Sequence, residues 1–200
     1  VFKIVFSSSC TVYNEAQPLP WHETSKIGKT KNPYGTSKYI IERILMDLVK
    51  YDNKWTVRIA RYFNAFSNHS SGLIKENSKG IPHFLIPYII KVAQKELPVL
   101  KVFGKDYKTK DGTCIRDYIH VMDVAEGHTR ALNYLENANP NVYNVNLGTG
   151  KGTSVLDLIS VFEKTNNLKV NYVFEGRRKG DVSQIVANNL YAKNNLHSRL

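Results

Sequence analysis

The chain has 200 residues, of which 42% are hydrophobic and 22% are charged, and this balance excludes a disordered or collagen-like polypeptide. No apolar run reaches the about 18 residues of a membrane span, and two cysteines cannot build a disulfide framework or a four-thiolate zinc site, which favours a reduced, cytoplasmic setting. The net charge of +11 would suit nucleic acid, but the basic residues form only short groups, so we favour a solvated surface or a small anionic ligand. We therefore predict no nucleic-acid partner and no membrane association.

The first part of the chain has the pattern of a strand–helix–strand unit. A β-branched and aromatic run over residues 1–6 predicts a buried strand that ends in a polar turn. Asn32 and Pro33 are typical of an N-cap and a first helical position, and apolar residues at helical spacing continue that helix to about residue 50. Residues 55–63 predict a second strand, so the sheet is expected to be parallel with a right-handed crossover.

The remainder predicts a smaller region of mixed α+β structure that begins near residue 65. Residues 14–31 and 64–80 lack a period and are predicted as loops. The further predicted elements are helices at 84–95, 122–135 and 154–164, and strands at 99–103, 116–120, 142–147 and 170–174. The predicted fold class is therefore α/β, with a parallel half-sheet followed by the mixed region.

Candidate chemistry starts with Tyr34 and Lys38, which are four residues apart at the start of the predicted helix and so share one face. A lysine ammonium beside a phenol favours the phenolate, which makes Tyr34 a candidate general acid and base. Any amphipathic helix can carry such a pair, so the spacing alone decides little. Ser9 and Asn64, however, each follow a predicted strand, and open α/β sheets bind ligands at the carboxyl ends of their strands.

A strand-end serine, a helical Tyr-x-x-x-Lys and an asparagine after the second strand form an arrangement that resembles the short-chain dehydrogenase/reductase superfamily. Longer motifs narrow the likeness, and the chain resembles the UDP-glucose 4-epimerases over nearly its whole length. The motifs that carry this resemblance are Phe6-Ser-Ser-Ser-Cys-Thr-Val-Tyr13, Asn32-Pro-Tyr-Gly-Thr-Ser-Lys38, Arg61-Tyr-Phe-Asn64, Gly80-Ile-Pro82, Phe103-Gly104, Asp111-Gly-Thr113, Arg116-Asp-Tyr-Ile-His-Val-Met-Asp123, Asn146-Leu-Gly148 and Arg177-Arg-Lys-Gly-Asp181.

The resemblance implies a catalytic trio of Ser9, Tyr34 and Lys38 that works with tightly held NAD. Tyr34 would take the proton of the sugar 4-hydroxyl while the C4 hydride passes to NAD, and the return of that hydride to the opposite face of the 4-keto sugar would interconvert UDP-glucose and UDP-galactose. Ser9 would hydrogen-bond the reacting hydroxyl, and Lys38 would tune Tyr34 and hold the nicotinamide ribose. Tyr62 and Phe63 would complete the cofactor site, to which Ser9, Tyr34 and Lys38 also belong.

The resemblance also implies a site for the UDP-sugar. Arg116 and Arg178 would hold the diphosphate, because guanidinium groups bind it bidentately. Phe103 would contact the uracil, and Asp181 would bind the ribose. The substrate-binding residues implied in this way are Ser9, Tyr34, Asn64, Phe84, Leu85, Phe103, Arg116, Tyr118, Val155, Arg178 and Asp181. We assign no residue to a metal.

The same resemblance divides the chain after residue 64. Residues 1–64 would be the C-terminal half of a Rossmann-like NAD-binding domain, and 65–200 mostly the UDP-sugar-binding region, with segments that return to the first domain. The family's glycine-rich NAD loop is expected to precede Val1 by roughly a hundred residues, at about 30 residues for each βαβ unit, and C-terminal helices are expected after Leu200. We therefore expect a piece of a longer protein, commonly a homodimer, that is inactive or unfolded alone.

Two positions depart from the family pattern and bear on sugar specificity. His83-Phe84 follows Gly80-Ile-Pro82 where the family usually has two asparagines, which removes an amide expected near the substrate. Ile185 stands where family members gate acetylated sugars. The choice between plain and acetylated UDP-sugars therefore stays open.

Three functional hypotheses remain. The first is the catalytic and substrate-binding part of a UDP-glucose 4-epimerase, which is favoured over related dehydratases and decarboxylases because no acidic residue directly follows Ser9. The second is a truncated homologue that only binds UDP-sugars, or a different NAD-dependent sugar-nucleotide epimerase. The third, a nucleic-acid-binding module, rests on charge alone and predicts a strongly salt-dependent affinity.

Overall fold

The computed structural model describes residues 2–74, 76 and 80–196. Strands and helices alternate along the chain, and the predicted α/β class is confirmed. In chain order the elements are β1 (Lys3–Ser9), α1 (Pro33–Tyr51), β2 (Thr56–Tyr62), β3 (Asn64–Phe66), α2 (Leu85–Ala93), β4 (Leu100–Phe103), β5 (Ile115–His120), α3 (Val121–Asn137), β6 (Val142–Leu147), β7 (Gly152–Ser154), α4 (Val155–Asn166), β8 (Tyr172–Glu175), β9 (Gln184–Ile185) and α5 (Leu190–Leu196).

A three-stranded parallel sheet forms the centre of the first compact unit, which consists of Val1–Ala65, Asp117–Lys151 and Ile185–Leu200. The strand order is β1-β2-β6, and Ser9 pairs with Tyr62, which in turn pairs with Leu147. The three strands therefore end together at one edge of the sheet. After residue 65 the chain returns twice to this unit, to add first β6 and α3 and then α5.

Helix α1 begins where the sequence predicts, because Asn32 caps its first turn and Pro33 suits its first position. Asn32 Oδ1 accepts a hydrogen bond of 2.8 Å from Gly35 N, and Pro33 occupies the first helical position, where a missing N–H costs nothing. Leu45 then packs into a buried cluster with Val57 of β2, which holds α1 on one face of the sheet.

Two predictions of irregular structure are wrong. Ser7–Ser9 does not form a polar turn but continues β1, because its backbone keeps pairing in parallel with β2 up to Tyr62. The loop predicted over 64–80 begins with the short strand β3. Three residues are too few for a recognisable pattern of side chains, so the sequence carries no signal for β3.

The second compact unit consists of Phe66–Arg116 and Gly152–Gln184 and has its own core. Its strands β4 and β8 pair in parallel, and helices α2 and α4 contribute Ile89 and Ile159 to a buried apolar cluster. Burial of each such side chain stabilises the fold by about 1.5–3 kcal/mol. Ser154 caps α4, since its Oγ accepts a hydrogen bond of 3.0 Å from Asp157 N.

Several chemical features of the described residues bear on sites other than the sheet edge. None of the described helices has the length and apolarity that a bilayer crossing demands. Over the same residues, no group of three or more His, Cys, Asp or Glu side chains is arranged to hold a metal ion.

His120 caps α3, with its Nδ1 accepting a hydrogen bond of 3.1 Å from Met122 N. Cys10 is buried and Cys114 is half-buried.

Candidate active site

Ser9 is the buried last residue of β1 and stands at the common edge of the three strands. Its Oγ accepts hydrogen bonds from Thr11 N at 3.2 Å and from Thr11 Oγ1 at 3.0 Å, and so caps the short 3-10 helix Cys10–Val12. In both bonds the serine oxygen is the acceptor. Its hydroxyl hydrogen is therefore left to be donated to a ligand oxygen.

Tyr34 and Lys38 stand on the first two turns of α1, beside the end of β1. Lys38 Nζ donates a hydrogen bond of 2.9 Å to the carbonyl oxygen of Ser7 and lies 5.6 Å from the centre of the Tyr34 ring. Tyr34 is 54% exposed, so its hydroxyl can reach a ligand. A phenol beside an ammonium group and open to a ligand is suited to take and return a proton.

Gly35 allows the first turn of α1 to come this close to the serine. A Cβ atom at Gly35 would lie 2.9 Å from the carbonyl oxygen of Thr11, which is closer than Cβ atoms normally approach backbone. Thr11 is also the residue that bonds Ser9 Oγ. Lys38 therefore lies close to both the Tyr34 ring and the end of β1, where Ser9 stands, and the catalytic roles of the three residues stay predictions.

The end of β2 supplies the other predicted cofactor residues. The Tyr62 hydroxyl donates a hydrogen bond of 2.8 Å to Ser7 Oγ and also contacts His128 Nε2 of α3. Burial lowers the pKa of His128, which keeps its ring neutral near neutral pH. Phe63 is buried in an apolar cluster, and the half-buried Asn64 opens β3. The cofactor roles of Tyr62 and Phe63 and the substrate role of Asn64 stay predictions.

A buried ion pair lies one helical turn beyond Lys38. Arg61 Nε donates to Glu42 Oε1 at 3.0 Å, Arg61 Nη2 donates to Glu42 Oε2 at 2.8 Å, and both side chains are fully buried. Ser8 Oγ donates to Glu42 Oε1 at 2.5 Å, and Arg61 Nη1 donates to the Tyr13 hydroxyl at 3.0 Å. Burial alone would lower the pKa of Arg61, but its hydrogen bonds to Glu42 and Tyr13 and their charges outweigh burial and raise that pKa.

Tyr13 carries the network on to β6. Its hydroxyl donates a hydrogen bond of 2.6 Å to Asn146 Oδ1, and Asn146 N donates to Glu23 Oε1 at 2.9 Å. Burial raises the pKa of Tyr13 to about 12 against the opposing charge of Arg61, and burial also raises the pKa of Glu23. The network therefore joins α1, β2 and β6 behind the strand ends.

Motif spacing does not single out Glu42 and Arg61, although the sequence carries a signal for both. Glu42 lies three residues before the buried Leu45, on the apolar side of α1. Arg61 stands in a strand whose first six residues are all buried. A charged residue at such positions is expected to have a buried partner of opposite charge.

In the second unit, four predicted substrate residues form two pairs. Arg116 Nη2 bonds Asp181 Oδ1 at 3.1 Å, and Arg116 Nη1 donates to the Val182 carbonyl oxygen at 2.9 Å. The Arg178 guanidinium lies 3.9 Å from the centre of the Phe103 ring, at cation–π distance. Arg116 is thus held in place from inside, whereas Arg178 is exposed.

The remaining predicted substrate residues differ in how open they are. Phe84, at the N-cap of α2, is 64% exposed. Leu85 and Val155 begin α2 and α4 and pack in or against the core of the second unit. Tyr118 is half-buried on β5 in the first unit. Their substrate roles stay predictions.

Comparison with known proteins gives a consistent result. A family model described as the NAD dependent epimerase/dehydratase family matches residues 1–146. UDP-glucose 4-epimerase from Pasteurella multocida (strain Pm70) is 48% identical over 198 residues, which are 98% of this chain and 58% of that protein.

Two solved structures are similar over almost all of this chain. UDP-glucose 4-epimerase from Stenotrophomonas maltophila, with bound NAD and formylated UDP-arabinopyranose, has a TM-score of 0.94 and 42% identity and covers 99% of this chain and 58% of its own. The enzyme from Bifidobacterium longum, in complex with NAD+ and UDP, has a TM-score of 0.93 and 45% identity with the same coverage. The resemblance predicted from the motifs is confirmed, and this chain spans little more than half the length of these relatives.

Proposed function

The chain belongs to the NAD dependent epimerase/dehydratase family, and we propose that the protein carrying it interconverts UDP-glucose and UDP-galactose as an NAD-dependent 4-epimerase. The observation that carries this proposal is the convergence of Ser9, Tyr34 and Lys38, with Lys38 Nζ bonded to the end of β1 and 5.6 Å from the Tyr34 ring. The substrate pair is supported by the names of the relatives, which are UDP-glucose 4-epimerases.

The residues at the sheet edge suit a nicotinamide cofactor. Ligands of parallel α/β sheets bind where the strands end, and β1, β2 and β6 end together here. A lysine ammonium has three N–H donors, of which the Ser7 carbonyl takes one, so Lys38 can also hold ribose hydroxyl groups. Tyr62 and Phe63 would flank the same site. NAD, when bound, supplies the group that accepts a hydride from the sugar and returns it.

The side chains of the chain itself manage the proton. Tyr34 takes the proton of the sugar 4-hydroxyl and gives it back when the sugar is reduced again. Ser9 donates a hydrogen bond to the same sugar oxygen, and the Lys38 ammonium stabilises the phenolate form of Tyr34, which takes the proton and is formed again when the proton is returned. No carboxylate directly follows Ser9, which fits an epimerisation that expels no water.

The UDP moiety is assigned to the second unit. Arg178, stacked on Phe103, offers an exposed guanidinium for the diphosphate, and the ring offers an apolar surface for the uracil. Arg116 and Asp181 bind each other at 3.1 Å, so each can meet a ligand only with the groups that this pair leaves over. Asn64, Phe84, Leu85, Tyr118 and Val155 are each proposed to contact the sugar nucleotide.

We also propose that the protein is a homodimer that pairs through α1. Ile40, Ile41 and Ile44 are exposed on this helix, and a second copy would cover them. The cytoplasmic location expected from the cysteine content stays a prediction.

The decisive experiment measures conversion of UDP-galactose by the protein that carries this chain, with added NAD. Replacement Tyr34→Phe removes the proton-transfer group and is expected to lower kcat by about 10²–10⁴-fold. Tyr51→Phe is the matched control, because Tyr51 lies at the other end of the same helix with 93% exposure and is expected to leave kcat unchanged. A wild-type protein that binds UDP yet converts no UDP-galactose contradicts the proposal and supports the binding-only hypothesis.

A further inference from the structure

We propose that Glu42 and Arg61 are positioning residues, whose buried ion pair sets the rotation and height of α1 on the sheet and thereby the placement of Tyr34 and Lys38 relative to Ser9. This inference deepens the proposed 4-epimerase function and rests on it. It assigns a role in the reaction to two side chains that contact neither sugar nor cofactor.

The spacing of residues along α1 places the reacting tyrosine and the buried glutamate on one side of the helix. Tyr34, Lys38 and Glu42 follow each other at intervals of four residues, so they form one stripe on the helix. The stripe runs from the exposed Tyr34 through the half-buried Lys38 to the fully buried Glu42. Any rotation of α1 that moves the tyrosine must therefore also move the glutamate.

This stripe of α1 is attached to β1 by two hydrogen bonds. Lys38 Nζ bonds the Ser7 carbonyl at 2.9 Å, and Glu42 Oε1 accepts the Ser8 hydroxyl at 2.5 Å. Two successive turns of α1 are thus joined to two successive residues of β1, directly before Ser9. The distance between the helix and the serine is set by these bonds.

Arg61 fixes the orientation of the Glu42 carboxylate as well as its position. The planar guanidinium of Arg61 binds both carboxylate oxygens of Glu42, which fixes orientation as well as distance. The third guanidinium nitrogen, Nη1, donates to the Tyr13 hydroxyl at 3.0 Å and to the Glu23 carbonyl oxygen at 3.0 Å. These two bonds hold the guanidinium group itself in place. An apolar contact such as that of Leu45 keeps α1 on the sheet but tolerates small rotations, because dispersion has no preferred direction.

A buried ion pair contributes little net stability to a fold. Desolvation of two buried charges offsets most of their attraction, so apolar residues of similar volume would stabilise this place as well or better. Stability alone therefore does not account for Glu42 and Arg61. Gly35, the residue after the reacting tyrosine, packs against Thr11 at the start of α1, so the helix is also fixed directly beside Tyr34.

The test uses the double replacement Glu42→Met/Arg61→Met, which removes both members of the ion pair together and so is expected to fold, with a melting temperature within a few degrees of that of the wild type. The affinity for UDP and KM are expected to stay unchanged, while kcat falls by about 100-fold because the reacting groups are displaced. The matched control is Glu126→Met/Arg130→Met, an Arg–Glu pair on α3 that is partly exposed, and it is expected to keep kcat.

A second measurement is independent of turnover. Amide hydrogen exchange over residues 32–39 is expected to accelerate in the double Met variant and not in the control, since the first two turns of α1 lose their anchor. A folded double variant with wild-type kcat and wild-type exchange in these turns would show that the pair is merely structural. Faster exchange in a protein whose wild type converts no UDP-galactose would instead refute the proposed function and leave the anchoring of α1 standing.

Discussion

Two arginines of β2, three residues apart, are buried in opposite ways. Arg61 points to the side of α1 and is held by a carboxylate fork. Arg58 points to the other face of the sheet, where its guanidinium lies 4.0, 5.4 and 5.6 Å from the ring centres of Tyr134, Tyr143 and Tyr191.

The two surroundings provide different kinds of constraint. Arg58 Nη1 bonds the Tyr191 hydroxyl at 3.3 Å, but its Nε and Nη2 have no hydrogen-bond partner among the described residues. Ring faces attract a cation over a broad range of positions, whereas a fork accepts only one. The surroundings of Arg61 on the α1 face are therefore built from directional bonds, and those of Arg58 on the opposite face mainly from adaptable aromatic contacts.

The largest effect is expected from breaking the directional side alone. Arg61→Met leaves the Glu42 carboxylate buried without its partner, which is expected to lower the free energy of unfolding by about 3–5 kcal/mol. Denaturant unfolding followed by circular dichroism measures this change. The partly exposed Arg130→Met should cost about 0–1 kcal/mol. An Arg61 variant as stable as the Arg130 variant would mean that the buried fork contributes no more than a partly exposed ion pair.

A smaller effect is expected on the aromatic side. Arg58→Met gives up cation–π attraction but strands no carboxylate and removes two N–H groups that lack partners, so the loss is expected to be about 1–2 kcal/mol. The same unfolding measurement applies. A loss equal to that of Arg61→Met would show that the aromatic surroundings constrain Arg58 as strongly as the carboxylate fork constrains Arg61.

The smallest effect sharpens the comparison through pH. Burial lowers the pKa of His128 below its ordinary 6.5, on the face that Arg58 shares, and the ring contacts the Tyr62 hydroxyl. The unfolded chain then binds the proton more readily, so stability is complete above pH 6.5 and declines as the pH falls toward the lower folded value. His128→Gln is expected to flatten this decline in thermal unfolding between pH 7 and about 5. An unchanged slope would contradict the assignment to His128.

Much of this arrangement can be predicted from sequence because it is local. Asn32 and Pro33 define the start of α1 by backbone chemistry that two residues carry by themselves. Tyr34 and Lys38 are brought together by helical spacing alone. Such features need no knowledge of how the helix lies on the sheet.

The buried pair could not be predicted in the same way. Glu42 and Arg61 are 19 residues apart, and their meeting depends on which side of α1 faces β2, a property of the packed sheet. The pattern of apolar residues predicts that α1 packs on the sheet, but it does not fix the last few degrees of rotation. Those degrees decide whether a carboxylate meets a guanidinium, so the pair becomes visible only in three dimensions.

The register of β1 gives three identical side chains three separate tasks. Ser7 offers its carbonyl to Lys38 and its Oγ to Tyr62, Ser8 gives its hydroxyl to Glu42, and Ser9 accepts hydrogen bonds from Thr11. Pairing of these serines with Ala60, Arg61 and Tyr62 is what tells them apart, since their chemistry is the same. A slip of one residue would leave the composition of the strand end unchanged but would exchange the partners of all three serines. The strand register, and not the chemistry of the side chains, therefore determines which serine has which role.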